Sequence, residues 1–274
     1  MLAGVWRALG DDNISIMAAG TAYYLILSIV PAMTALVLSY GLVADPVAIE
    51  QHVGALAGVM PGEALRLLSD QLHTLVSVPR TGLGIGLVVS VVIALWSAMN
   101  STVALMTALT VAYEGREDRG VLRFYGLAVG LTVGTVLFGL AALVLIAGVP
   151  AAAAELPMPE LWRQLLPLLR WPMLEVLALL GLGTLYRAAP NRNPPGWDFL
   201  RAGTIGASLL WLSGSAAFSF YVAHFGSYDR TYGSLGAVAI LLVWLYVSAY
   251  IVLAGAELNG ELARREQGTP SRTE

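Results

Sequence analysis

Six apolar runs, each long enough to cross a bilayer, constrain this chain more than any other feature. A spanning helix needs about 20 mostly apolar residues to cover a ~30 Å hydrocarbon core. Such runs lie at about 14–42, 82–113, 124–149, 171–188, 200–224 and 233–258. Lipid offers no hydrogen bonds, so each run must satisfy its own backbone, and helices do this. The expected fold is therefore all-α: a polytopic membrane protein built as a bundle of six transmembrane helices. Residues 1–262 form one membrane domain, and 263–274 a polar cytoplasmic tail. The composition agrees, with 57% apolar and 12% charged residues in 274. Soluble domains carry about 25% charge, so a disordered chain, a coiled coil and an ordinary soluble enzyme are excluded.

Arginine orients the spans. All 15 basic residues are Arg. Ten of them fall on one side: Arg7, the 116–123 turn, the 187–201 turn and the segment after the sixth span. Five fall on the other side. The positive-inside rule then places both termini in the cytoplasm. The first run is too long to be a cleaved signal peptide, whose apolar region is about 7–15 residues. Asp11, Asp12 and Asn13 stand as N-cap candidates before it.

The first outer loop, 44–81, is too long to lack structure. After Pro61, Leu65, Leu68, Leu72 and Leu75 recur at helical spacing. Amphipathic helices are expected there, capping the outer face. The second outer loop, 150–170, reads as an interfacial segment anchored by Trp162.

Soluble-type chemistry finds no support. Cysteine is absent and there are three His, at 52, 73 and 224, all expected at the outer face. No H-E-x-x-H or G-x-S-x-G motif occurs. We therefore expect no catalytic residues, no metal, no cofactor and no nucleic-acid partner. Glu114, Glu117 and Asp118 alternate with Arg and read as a charge-balanced turn. Glu257, Asn259 and Glu261 read as a solvated boundary at the end of the sixth span. Gly126, Gly130 and Gly134 recur every fourth residue, a small-residue face suited to close helix packing. That face points to packing within the bundle or, second, to a homo-oligomer.

Polar residues at membrane depth are the functional lead, because they are costly without partners or water. Tyr24 and Ser28 precede Pro31, whose missing N–H should kink the first span. Asn100 lies near the middle of the second span and Tyr246 near mid-depth of the sixth. They are expected either to bound a small polar cavity or to hydrogen-bond the helices together. Glu175, placed one turn inside the outer end of the fourth span, is expected to snorkel outward and is a weaker outer site.

Several stretches together resemble the YihY/BrkB family of bacterial inner-membrane proteins. The fullest is 218–262, with its Tyr-Gly-Ser-Leu-Gly-Ala entry and its Gly-Ala-Glu-Leu-Asn exit. The stretches 22–41, 95–117 and 186–211 also fit. The resemblance implies the six-span bundle and an inner-membrane location, without a settled activity. The family has often carried a ribonuclease BN label, which the absence of a catalytic cluster in these residues argues against. What the resemblance leads to is transport of a lipid or small molecule in envelope maintenance. The alternative is a non-transporting scaffold that binds a partner.

Overall fold

The computed structural model describes residues 9–43, 80–149, 159–191, 201–225 and 234–266. Among these residues the regular structure is entirely helical. Helix α1 spans Ile14–Val43, α2 Arg80–Ala112, α3 Val121–Leu143, α4 Glu160–Ala188, α5 Ala202–Phe225 and α6 Ser234–Glu266. After α3 the chain continues as a π-helical turn, Val144–Gly148, closed by the Val149 N–H on the Val144 carbonyl. Five of the helices are long and apolar enough to cross a membrane: parts of α1, α2, α3 with its π turn, α4 and α6. Helix α5 is outside that set among the described residues. Its 24 residues still measure about 36 Å at ~1.5 Å per residue.

Two boundaries differ from the sequence reading. Helix α4 begins at Glu160, so Pro167, Arg170 and Pro172, which look like a loop-to-span border, lie within one continuous helix. Helix α6 runs to Glu266, so the expected polar tail starts inside it, and Ala263 is buried. The proposed outer helices in 44–79, together with His52 and His73, lie outside the described residues. The N-cap reading narrows to Asn13, which takes a left-handed φ of 52° and whose carbonyl accepts the Ile16 and Met17 N–H groups. Asn tolerates that conformation better than other non-glycine residues.

The chain divides into two compact units: residues 24–98, and residues 1–23 with 99–274. In the first unit α1 passes through Pro31 and remains helical to Val43. Ser28 Oγ donates to the Leu25 carbonyl of its own helix at 2.7 Å. In the second unit α5 and α6 form the most extensive helix pair, α4 packs on α5, and α3 packs on α4. Its apolar core gathers Ile14, Met106, Leu109, Tyr186, Leu253 and Ala256.

Polarity is inverted relative to a soluble domain. Large apolar side chains point outward along every helix, with Leu122 90% exposed. Buried polar groups are tied between helices: Ser101 Oγ donates to the Thr21 carbonyl at 3.0 Å, and Thr102 and Thr132 hydroxyls meet at 2.8 Å. Soluble monomers rarely expose contiguous apolar patches of such extent. Lipid accepts them, and the chain is a multi-pass membrane protein.

Candidate functional site

The dominant polar feature lies where the last turns of α6 cross the start of α5. Helix α5 begins at Ala202, so its first N–H groups have no partner within the helix. Asn259, fully buried on α6, supplies one: its Oδ1 accepts the Gly203 N–H at 2.9 Å, and its Nδ2 donates to Thr204 Oγ1 at 3.1 Å. Two turns away on α6, the Val252 carbonyl accepts the buried hydroxyl of Tyr186 of α4 at 2.6 Å. Glu257 and Glu261 are each only 1% exposed. This corrects the sequence reading of Glu257, Asn259 and Glu261 as a solvated boundary. Segments distant in sequence meet this stretch of α6: the start of α5 at Asn259, and the end of α2 and the following turn at Gly260 and Arg264.

Glycine makes the crossing possible. A Cβ on Gly255 would lie 2.6 Å from Ala207 Cβ, 2.6 Å from the Tyr186 hydroxyl and 2.7 Å from the Gly203 carbonyl oxygen. A Cβ on Gly203 would strike the Gly255 carbonyl and Asn259 Oδ1. Gly260 meets the Ala112 carbonyl in the same way, at 2.8 Å. Gly126, Gly130 and Gly134 behave oppositely: among the described residues nothing lies within 4 Å of a Cβ built on any of them. The small-residue contact among the described residues is α5 against α6 instead.

Beyond the crossing runs a chain of ion pairs. Buried Glu261 accepts from Arg264 Nη2 at 2.6 Å and from Arg265 Nε at 3.1 Å, and Arg264 also bonds Glu114 of the α2–α3 turn. In that turn Arg119 pairs with Glu117 at 2.5 Å and donates to the Ala189 carbonyl at 2.9 Å. The Arg119 hydrogen bond holds the Glu117 carboxyl below the usual carboxylate range, against the opposing effect of its partial burial. A lowered folded-state pKa adds stability that is present above the unfolded value, about 4.3 for Glu. That contribution is lost as pH falls through the folded value. Wild-type protein should therefore lose slightly more thermal stability on acidification below about pH 4.3 than Glu117→Gln. The difference belongs to the ~0–1 kcal/mol range of exposed pairs. Parallel melting curves from neutral to acid pH would refute this.

Glu175 does not snorkel. It lies inside the apolar stretch Leu168–Ala188, about 10 Å from its Leu168 end at ~1.5 Å per residue. Its Oε1 accepts the Ser208 hydroxyl of α5 at 2.6 Å. Its Oε2 is buried and has no hydrogen-bond partner among the described residues. The rest of the expected polar centre divides between the units. Tyr24, Ser28 and Pro31 belong to residues 24–98, while Asn100 and Tyr246 belong to the other unit. Asn100 is half-buried, and Tyr246 shares a 2.7 Å hydrogen bond with Ser15 while its ring lies 6.1 Å from that of Tyr250. Among the described residues no three His, Asp or Glu side chains gather as a metal site would require.

The family model described as Virulence factor BrkB matches residues 5–274. The chain belongs to the BrkB family. A relative from Bacillus subtilis (strain 168), named as ribonuclease-like protein YfkH, is 28% identical over 91% of this chain and 90% of its own. A UPF0761 membrane protein of Psychromonas ingrahamii is also 28% identical, over 94% of this chain and 86% of its own. One from Tolumonas auensis reaches 39% over 32% of this chain and 28% of its own. No solved structure matches. The Gly-Ala-Glu-Leu-Asn stretch that carried the BrkB resemblance is Gly255–Asn259, the α6 side of the buried crossing.

Proposed function

We propose that this BrkB-family protein is a transporter that moves a lipid or small molecule across the bacterial inner membrane. The observation that carries the reading is Glu175. A carboxyl inside a spanning segment is expensive, and such groups mark substrate or ion pathways. This one keeps a buried oxygen without a hydrogen-bond partner among the described residues, where an apolar side chain would serve a structural helix better. Asn100 and Tyr246, polar residues of the same unit as Glu175, are the other residues we assign to the passage. The protein is not an enzyme in this proposal, and no cofactor is assigned to it. No RNA cleavage is expected of it, although a relative is named ribonuclease-like. The alternative is a scaffold, with a partner or a second copy seated on the outward face of Gly126, Gly130 and Gly134.

The test is lipid and metabolite profiling of a deletion strain complemented with wild type, Glu175→Gln or Glu175→Leu. Transport predicts an accumulated compound that wild type clears and Glu175→Leu does not, at equal membrane abundance, with purified wild type moving that compound in proteoliposomes. Full complementation by Glu175→Leu favours the scaffold.

Topology is part of the proposal, with α5 as a sixth span and both termini cytoplasmic. Five spans would put the termini on opposite sides. The chain has no cysteine to confuse labelling. In intact cells an impermeant thiol reagent should label Tyr228→Cys and spare Arg192→Cys. Labelling at 192 would refute the orientation.

A further inference from the structure

We infer that Glu175 binds an exchangeable proton, and that the transport cycle is coupled to its loading and release. The deciding geometry is at Ser208, which is fully buried on α5. Its Oγ lies 2.6 Å from Glu175 Oε1 and 2.9 Å from the Ile205 carbonyl oxygen. A hydroxyl has one proton to donate, and neither a carboxylate nor a carbonyl has any. With Glu175 ionised, one of the two contacts is left as oxygen against oxygen. With a proton on Glu175 both are made: Oε1 donates to Ser208 Oγ, and Ser208 donates to Ile205. The buried Oε2, which has no hydrogen-bond partner among the described residues, is then a neutral carbonyl oxygen. Left unpaired, it costs less than a charged oxygen would. Release follows the same contacts. The proton passes from Oε1 to water, Ser208 turns to donate to the new carboxylate, and the Ile205 carbonyl gives up its side-chain donor.

The surrounding helices support exchange at this level. The start of α3 lies beside the end of α4, where Arg119 donates to the Ala189 carbonyl, so the two helices run antiparallel. Phe138 packs on Gly181. Six residues farther on, α3 reaches Val144 where α4 reaches Glu175. Val144 opens the π turn, and such turns within α-helices are frequent at functional sites. In the other direction Ser208 leads along α5 to Thr204, one turn distant on the same face, and Thr204 bonds Asn259. A file of polar side chains thus runs from α4 through α5 to α6. Among the described residues no guanidinium bonds the carboxyl. The helices packed on α4 are α3 with its π turn and α5. Their ionisable residues, Arg123, Tyr125, Tyr221 and His224, lie roughly 20 Å or more along the axes at ~1.5 Å per residue. On α4 itself Arg170 is nearest in sequence, and its guanidinium lies 5.3 Å over the Trp171 ring. Glu257 and Glu261 of α6 stand at the crossing with Gly203 and Thr204, a turn or more from Ser208.

The use of the proton in transport rests on the function proposed above; proton binding does not. The test uses the full-length protein in a neutral detergent and dicyclohexylcarbodiimide, an apolar reagent that modifies protonated carboxyls in apolar surroundings. Peptide mass spectrometry locates the adduct. Wild type should be modified at Glu175, and the yield should fall about tenfold per pH unit once the carboxyl ionises, as for any single titrating acid. Glu175→Gln keeps the shape and a donor for Ser208 but has no proton to release. In the deletion strain it should fail to complement, as Glu175→Leu does, whereas Glu175→Asp should restore function in part. Variants are compared at equal membrane abundance, and the wild-type labelling needs none of them. No adduct at Glu175, or a yield that is the same from acid to alkaline pH, would overturn proton binding. Full complementation by Glu175→Gln where Glu175→Leu fails would overturn the coupling and leave transport standing. A pH-dependent adduct with full complementation by Glu175→Leu would overturn the coupling along with transport and leave proton binding.

Discussion

Gly255→Val should be the most damaging single substitution in the protein, and Gly255→Ala should already be severe. A Cβ at 255 would meet the Gly203 carbonyl, the Tyr186 hydroxyl and Ala207, none farther than 2.7 Å. Two of these obstacles are backbone or a short side chain, so no rotamer change relieves the clash. Helices α5 and α6 must part. Overpacking alone costs about 1–3 kcal/mol. Parting the helices also weakens the Asn259 bonds to Gly203 and Thr204 and the Tyr186 bond to Val252, each worth about 1 kcal/mol. We expect a loss above ~3 kcal/mol for Gly255→Ala on these figures, and failure to accumulate for Gly255→Val. Gly130→Ala is the matched control, since nothing among the described residues approaches that position. It should change stability by no more than about 0.5 kcal/mol, as surface substitutions do. Equal melting temperatures for Gly255→Ala and Gly130→Ala in detergent would disprove the close crossing.

Asn259→Leu should follow closely. Its volume suits the buried site, so lost packing is small and the polar loss stands alone. The Gly203 N–H would be left buried at the start of α5, and Thr204 would lose its donor. A buried group without its partner costs about 1–3 kcal/mol, so the pair predicts roughly 2–4 kcal/mol. Asn259→Asp keeps an acceptor for Gly203 and should recover that part, while placing a second carboxylate near buried Glu257. A double-mutant cycle with Thr204→Val isolates the 3.1 Å contact. Its coupling should lie near 0.6–1.7 kcal/mol, the span measured for such bonds in membranes. Zero coupling would mean that Asn259 serves the backbone of α5 alone.

The sequence was legible where lipid leaves one solution. An uninterrupted apolar run must be helical, so α1, α2, α3 and α5 fall within three residues of the runs that announce them at their starts. Legibility failed where charge interrupts a run. Arg170 between Pro167 and Pro172 looks like a water-exposed border, which displaced the start of α4 and put Glu175 near an interface. Glu257, Asn259 and Glu261 close an apolar run as a solvated end does. Asn259 meets the start of α5 and Arg264 meets Glu114, and no local pattern encodes contacts across 55 or 150 residues. Gly126, Gly130 and Gly134 illustrate the same limit. Four-residue spacing defines a face, and only the tertiary arrangement decides whether anything meets it. For Tyr246 the partner was legible only in kind. Tyr246 was expected in a polar setting and bonds Ser15, a residue that the pattern did not single out.

The ion pair between Glu114 and Arg264 joins residues 150 positions apart, and this fixes an order of events at the ribosome. Glu114 emerges with α2 and meets the membrane surface long before Arg264 exists. So do the first N–H groups of α5, which precede Asn259 by more than 50 residues. Until α6 is complete, the earlier helices hold polar groups at this end that only water or a chaperone can satisfy. Residues 255–265 therefore act as a clasp, closing the second unit in one late step. A released chain that ends at residue 250 should remain accessible to proteases at the 114–120 turn, whereas one that extends through Arg265 should not.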